Sequence, residues 1–313
     1  MTGMTEPWAY LNGRVLPLCE AKVAVFDAGF VQGVTVAEQL RTFGGKLFRL
    51  DSHLARLRHS LEVVGVDAGV PLEEIGRIAV DITERNHALL APGDDLGLTI
   101  FVTPGPYAAM APVEATGEHA RPTVCVHTRP IAFRLWADKY ERGESVAIST
   151  VRQVPEDCWP PELKCRSRMH YYLADREVAR RFPGSRAILL HHDGTVCEAT
   201  TANVLAYFPD EGLVSPPHEH ILPGISVAVA KELAGRLGIP FGERALRPDD
   251  LASAAELLLT STSPCALPIT RFEGRPVGDG QPGPIHARLL RAWSDMVGVD
   301  IAAQAKAFRD RAA

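Results

Sequence analysis

The chain has 313 residues, 46% hydrophobic and 23% charged, with a formal net charge of −5 at pH 7. That balance suits a soluble globular protein with a full core, and it offers no basic face for nucleic acid or anionic lipid. No apolar run approaches the ~18 residues of a membrane span, and residues 1–13 carry no basic stretch leading into an apolar one, so a cytoplasmic protein of about two domains is expected. Cys19, Cys125, Cys158, Cys165, Cys197 and Cys265 form no CxxC pair. They read as reduced thiols, mostly buried, with packing roles.

Residues 8–50 read as short strands, with hairpin signals at Asn12-Gly13 and Gly44-Gly45. Over residues 51–66 the period changes. Leu54, Leu57, Leu61 and Val64 recur at three- and four-residue steps, one face of a helix, with Asp51 or Ser52 as its cap. A second helix is expected over 71–90, with Glu73 and Glu74 in the first turn, where the dipole favours them. A strand over 96–103, a Pro/Gly/Ala-rich loop over 104–117 and a strand over 122–127 complete a small α+β domain, residues 1–130. Residues 131–144 are polar and irregular and read as an interdomain connection; residues 145–313 form the larger domain. Within it, strands are expected over 145–154 and 255–260, helices over 161–182, 225–237 and 285–297, and one helical turn at 251–254.

Several signatures are absent: GxxxxGK[ST], GxSxG and HExxH. A GxGxxG does occur over 278–283, but it follows no clear strand and reads as a turn-rich loop. His218-Glu219-His220 sits among prolines and reads as a solvated loop, not a metal site, because a ligand set needs three or four convergent groups.

The stretch AILLHHDGTVCEATTANVLAY, residues 187–207, carries more. Asp193-Gly194 between two apolar runs is a hairpin signal. Glu198 follows, among Cys197, Ala199, Thr200, Thr201 and Ala202. A carboxylate in such company is costly unless something pairs with it. Two readings stay open from this stretch alone: a cationic ligand in a pocket left by the small residues, or an exposed glutamate on a strand edge. Lys164, placed near a helix start, and Arg56 change the weighing. A lysine for a Schiff base, an arginine for a phosphate and a carboxylate for a pyridinium nitrogen are what pyridoxal phosphate requires.

At this point the chain resembles the fold-type IV pyridoxal-phosphate enzymes, which comprise branched-chain aminotransferases, D-amino-acid aminotransferases and 4-amino-4-deoxychorismate lyases. The resemblance runs from about Tyr10 to Trp293. It is carried by LNG, FDAGFVQGVTVAEQLRTFGGKLFRLDSHLARL, LKCRSRMHYYLADREVARR, the 187–207 stretch, ILPGIS, LLLTSTSPCALPIT and RPVGDGQPGPI, in that order. It implies a two-domain fold mixing α+β and α/β, a small N-terminal α+β domain and a larger C-terminal β-barrel-like domain with helices. It further implies a homodimer with the site at the interdomain interface. By position, Lys164 matches the lysine that binds the cofactor aldehyde and Glu198 the carboxylate on the pyridine nitrogen. Arg56 matches the phosphate arginine. Ile225 and Ser226 match donors at a helix N-terminus, a natural phosphate site. Ser261 and Thr262 match the second phosphate-contacting turn, while Gln32, Ala37, Thr103, Arg168 and Ser263 are placed towards the substrate.

The chain also departs from the family pattern. Met169 stands where the branched-chain enzymes have a tyrosine on the cofactor's phenolic oxygen, with Arg168, His170 and Tyr171 beside it. Pro104 stands where the D-amino-acid enzymes hold the substrate carboxylate with an arginine, and Ala37 replaces an aromatic before Glu38. The first expectation is therefore an aminotransferase moving the amino group of an apolar, branched-chain-like amino acid or amine to a 2-oxo acid. The alternatives are a lyase releasing pyruvate and 4-aminobenzoate, a D-amino-acid or (R)-amine transaminase, and a cofactor-binding protein without turnover.

Overall fold

Asn12 and Gly13 both take positive φ, 48° and 84°, as a two-residue turn between antiparallel strands requires. They join β1 (Trp8–Leu11) to β2 (Arg14–Pro17). Gly44 and Gly45, at φ 55° and 79°, do the same between β3 (Val36–Phe43) and β4 (Lys46–Leu47). The buried Asp95 carboxylate fixes that second turn, accepting from Gly44 N at 3.1 Å and Gly45 N at 3.0 Å. The computed structural model describes residues 6–117 and 120–311.

These residues divide into two compact units. The first runs up to Ile131 and adds Leu163–Ser167; the second takes Ala132–Glu162 and the chain from Arg168 onward. In the first unit β5 (Leu96–Thr103) and β6 (Thr123–Pro130) complete an antiparallel sheet of order β2-β1-β6-β5-β3-β4. Helices α2 (Leu50–Val64) and α3 (Leu72–His87) lie on it. Leu57, Ile75 and Ile82 from the helices meet Leu40, Leu98, Ile100 and Val126 from the sheet in one core. Each such side chain contributes about 1.5–3 kcal/mol on leaving water.

The second unit is built on one mixed sheet. Its strands are β7 (Glu144–Ile148), β8 (Arg186–Leu190), β9 (Val196–Ala199), β10 (Asn203–Phe208), β11 (Gly212–Ser215), β12 (Phe241–Glu243), β13 (Glu256–Ser261), β14 (Cys265–Phe272) and β15 (Arg275–Pro276). Their order is β12-β11-β10-β13-β14-β7-β8-β9, with β15 on β14. The sheet curls as a half-barrel. Helix α5 (Met169–Arg181) packs Ala174 and Val178 on Ala147, Ala187 and Leu189 of β7 and β8. The remaining helices are α4 (Lys139–Arg142), α6 (Ile225–Arg236), α7 (Pro248–Ser253), α8 (Pro284–Val297) and α9 (Ile301–Ala307).

The structure corrects several sequence expectations. Residues 21–35 form no strand. Their only regular element is α1 (Ala28–Val31), capped by Asp27, whose buried carboxylate accepts from Gly29 N at 2.7 Å, Thr103 Oγ1 at 3.0 Å and Thr123 Oγ1 at 2.6 Å. Those long-range bonds outweigh the strand propensity of the apolar residues. Neither Asp51 nor Ser52 caps α2; Arg49 does, in left-handed backbone at φ 55° and with no side-chain bond. The stretch 131–144 is less irregular than expected, since α4 and the start of β7 fall in it. The helix expected over 161–182 begins only at Met169, because the backbone of 164–166 is paired elsewhere.

The 278–283 loop ends at Gly283, where a Cβ would come within 2.4 Å of the Glu256 carboxylate. That carboxylate caps α8, accepting from Ile285 N at 2.8 Å and His286 N at 3.0 Å. Glu256→Ala strands two amides with no acceptor and is expected to lower the unfolding free energy by about 1–3 kcal/mol, with Glu256→Gln losing roughly half as much. Urea unfolding of the two variants beside wild type measures this, and equal midpoints for all three would count against the cap.

Candidate active site

In the first unit the backbone around Lys164 adds to β3. Ala37 N donates to Lys164 O at 3.0 Å and Arg166 N to Thr35 O at 2.8 Å, with Cys165 bridged to Val36. Lys164 N donates to Ser60 Oγ on α2 at 3.3 Å, and Ser167 Oγ to Gly33 O at 2.7 Å. Lys164 is therefore buried in irregular chain pinned to a strand, not at a helix start. Such pinning fixes where its side chain begins, as a covalent cofactor site needs.

Close by is a fully buried ionic group. Glu38 of β3 is 0% exposed. It accepts from Arg56 Nε at 2.7 Å and Arg56 Nη2 at 2.8 Å, while His53 Nδ1 lies 2.7 Å from its second oxygen. Burial pushes the Glu38 carboxyl up, but the Arg56 charge and hydrogen bonds, with a further bond from His53, outweigh it and hold the group at about 2. His53 is held below its ordinary value, first by burial; Glu38 opposes this, while the Arg56 and Lys164 charges add to it. The imidazole is thus neutral at neutral pH. The sequence pattern had Arg56 presenting a fork of donors to a phosphate. The structure shows the Nε–Nη2 edge of that fork on Glu38.

In the second unit Glu198 lies on β9, an end strand of the sheet, and is only 4% exposed, which removes the reading of an exposed glutamate. The Tyr171 hydroxyl, in the first turn of α5, donates to its Oε1. Asn203 Nδ2 donates to its Oε2 at 3.1 Å and also to Leu222 O at 3.0 Å. Burial, then the Glu198 charge, pushes the Tyr171 phenol well above its ordinary value, so it stays a donor. Beyond Glu198 the strand ends in a tight turn: Ala202 N donates to Ala199 O at 3.1 Å, and Thr201 adopts φ 63°. Ser261 Oγ donates to Thr201 O at 3.1 Å, which ties the β13 end to that turn. Thr262 and Ser263 continue into the turn before β14.

Ile225 and Ser226 open α6 behind Gly224, and no side chain caps this helix. Its first amides have no intrahelical acceptor, so the end is a donor set with positive potential. A Cβ on Gly224 would meet Asn203 Oδ1 at 2.1 Å. Asn203 therefore touches both Glu198 and the start of α6. On the strand beside it, the buried Thr260 Oγ1 has no hydrogen-bond partner among the described residues.

Other expected residues divide. Ala37 is buried beside the Lys164 carbonyl, and Gln32 is exposed at the end of α1. The Thr103 hydroxyl is taken up by Asp27, accepting in turn from Gly105 N at 3.0 Å. Arg168 precedes α5 and stacks 5.8 Å from the Tyr171 ring centre. Met169 is exposed. Cys197 packs, accepting from Gln153 Nε2 and donating to His220 O, both at 3.5 Å, and burial raises its thiol well above the usual range. His218 and His220 sit on an exposed one-turn helix and pair with Glu243 and Glu156. Sequence reading missed the roles of Glu38, His53 and Asn203. A carboxylate between the apolar residues Val36, Ala37 and Leu40, with His53 and Arg56 three apart on the leucine face of the next helix, was the available signal.

A family model described as amino-transferase class IV matches residues 35–272. The chain is 29% identical over 295 residues to the D-alanine aminotransferase of Staphylococcus aureus (strain COL), spanning 92% of this chain and 97% of that protein. It is 30% identical over 293 residues to the D-alanine aminotransferase of Bacillus licheniformis, spanning 91% and 95%. Its fold is that of the branched-chain amino acid aminotransferase from Escherichia coli, at TM-score 0.78 and 23% identity over 93% of this chain and 94% of the other. The branched-chain aminotransferase of Thermoproteus uzoniensis with norvaline gives TM-score 0.79 and 25% identity over 94% and 95%. A half-barrel with a buried, donor-flanked carboxylate is thus an aminotransferase scaffold. The chain belongs to the class IV aminotransferases, which are pyridoxal-phosphate-dependent enzymes that use an amino donor and a 2-oxo acid. Among the described residues no helix is long and apolar enough to cross a membrane.

The Glu38 pairing carries a pH dependence. The folded value of about 2 lies below the ordinary 4.5, so the stabilisation is complete above about pH 4.5 and is lost as pH falls through about 2. It amounts to ~3 kcal/mol. The gap in unfolding free energy between wild type and Glu38→Gln is expected to narrow by ~3 kcal/mol from pH 7 to pH 2. Urea unfolding at several pH values tests this; a pH-independent gap contradicts the pairing.

Proposed function

We propose that this aminotransferase binds pyridoxal phosphate through Lys164 and moves the amino group of an apolar amino acid or amine to a 2-oxo acid. The observation that carries the reading is Asn203, which joins the buried Glu198 carboxylate to the uncapped start of α6. A carboxylate and an anion-seeking helix end held by one side chain suit a ligand with a basic ring nitrogen and a phosphate. The cofactor, when bound, supplies an electron sink for breaking the substrate Cα–H bond.

The chain's own residues do the rest. Glu198 keeps a proton at the ring nitrogen. The Lys164 amine would hold the cofactor at its aldehyde carbon and would supply the free base for the substrate Cα proton. The amides of Ile225 and Ser226 and the Ser261-Thr262 turn would receive the phosphate. Ala37, small and buried beside Lys164, leaves room for an apolar donor.

A D-amino-acid donor is the second reading. It is favoured by the D-alanine aminotransferases at 29% and 30% identity, and opposed by Pro104 at the place of the carboxylate-binding arginine. Titrating the visible band of the holoenzyme with L- and D-amino acids and chiral amines decides. Loss of the band with apolar L-amino acids alone supports the first reading and loss with D-alanine alone the second. Pyruvate release from aminodeoxychorismate without any acceptor would replace both with the lyase.

Lys164→Ala is expected to lose the visible band on dialysis. A variant that stays yellow, with a borohydride-reducible linkage at another lysine, shows that the attachment residue is misassigned. Glu198→Gln is expected to retain the cofactor while kcat falls by at least about a hundredfold, since a general acid–base or electron-sink contact is worth at least that much. An unchanged kcat removes the assigned role.

A further inference from the structure

We propose that Tyr171 is a positioning residue for Glu198, holding the carboxylate ionised and aligned so that the proton it shares with a ligand's ring nitrogen stays on the nitrogen. The inference rests on the pyridoxal-phosphate reading given above.

The hydrogen bonds come first. Glu198 is buried on β9, where water cannot stabilise its charge. Tyr171 Oη donates to one of its oxygens and Asn203 Nδ2 to the other. Donors on a carboxylate favour the charged form and lower its affinity for a further proton. A proton between Glu198 and a basic ring nitrogen then lies on the nitrogen side, where it makes the ring an electron acceptor. Without the tyrosine the carboxylate binds that proton more strongly, and the ring loses part of its charge.

Tyr171 is placed for this independently of its partner. It sits in the first turn of α5, its ring against the cluster of Ala147, Ala174 and Leu189. His170 lies 4.3 Å away ring to ring, and the Arg168 guanidinium 5.8 Å from its centre. The phenol is thus delivered by helix packing. Asn203 Nδ2 gives one N–H to the carboxylate and the other to Leu222 O, while the Tyr171 hydroxyl gives its single proton to Glu198.

The test is the 15N chemical shift of ring-labelled pyridoxal phosphate in the holoenzyme. In wild type the signal is expected near the pyridinium value. In Tyr171→Phe, which removes one oxygen from the protein, it is expected to move towards the free-base value, with kcat down about tenfold and KM little changed. A purely structural tyrosine would lower the melting temperature and leave the shift alone. An unmoved signal in folded Tyr171→Phe overturns the proposal. Should that variant not fold, 4-aminophenylalanine at 171, a weaker donor of nearly the same size, replaces it. A shift towards the free-base value then supports the proposal, and no shift overturns it. Glu198→Gln separates the two levels. If it leaves the signal unmoved, the reading of Glu198 itself fails; if it moves the signal and Tyr171→Phe does not, only the present inference fails.

Discussion

A carboxylate taken out of water must be met by donors, and that requirement organises both units of this protein. Asp27 gathers Gly29, Thr103 and Thr123, and so folds residues 21–35 against two strands. Asp95 closes the β3–β4 turn and Glu256 closes the start of α8. Backbone amides and threonine hydroxyls make the short bonds in these cases, with His87 Nε2 also 3.8 Å from Asp95. Glu38 and Glu198 differ, because they are answered by side chains that are themselves titratable or mobile: Arg56 and His53 in one unit, Tyr171 and Asn203 in the other.

Much of the frame was legible because short-range rules governed it. The leucine spacing of residues 51–66 gave α2 to within two residues, and the Asn12-Gly13 and Gly44-Gly45 turns stand where their φ demands put them. Residues 96–103 read as a strand and are β5. The failures share one cause, pairing with distant chain. The helical spacing of Tyr171, Tyr172, Ala174, Val178 and Ala179 was extended back to residue 161, but the amides and carbonyls of 164–166 bond Thr35 and Ala37. Residues 21–35 have strand composition, but Asp27 recruits hydroxyls from β5 and β6. Arg49, an ordinary residue in sequence, ends up capping α2 in left-handed backbone.

Within the candidate site, Glu198 announced itself through its small neighbours, since a carboxylate in such a run needs an explanation. Glu38 announced itself less, because Arg56 lies eighteen residues away on another element and no local pattern joins them. Tyr171 was seen only as one of three neighbours of Met169; its bond to Glu198 depends on how α5 packs on β7 and β8. Substrate choice is weakly written for the same reason. Ala37 and Pro104 are single positions whose neighbours come from elsewhere in the fold, and a relative named for D-alanine and a solved structure named for branched-chain amino acids match the chain over 92% and 93% of its length.

The excursion of residues 163–167 has a consequence for how the protein is made. The chain finishes nearly all of the first unit by Ile131, leaves it, and returns only for Leu163–Ser167. Until those residues emerge during synthesis, the β3 edge that holds Ala37 N and Thr35 O has no partner there, and an unpaired strand edge invites wrong pairing. The first unit is therefore not a contiguous gene segment. A fragment ending at Ile131 would lack both the closing segment and Lys164, so a truncation or a fusion with another protein at that boundary yields an open edge and loses the lysine proposed to attach the cofactor. That lysine is also a fastener, and the first unit cannot be fully closed without the residue on which the proposed chemistry depends.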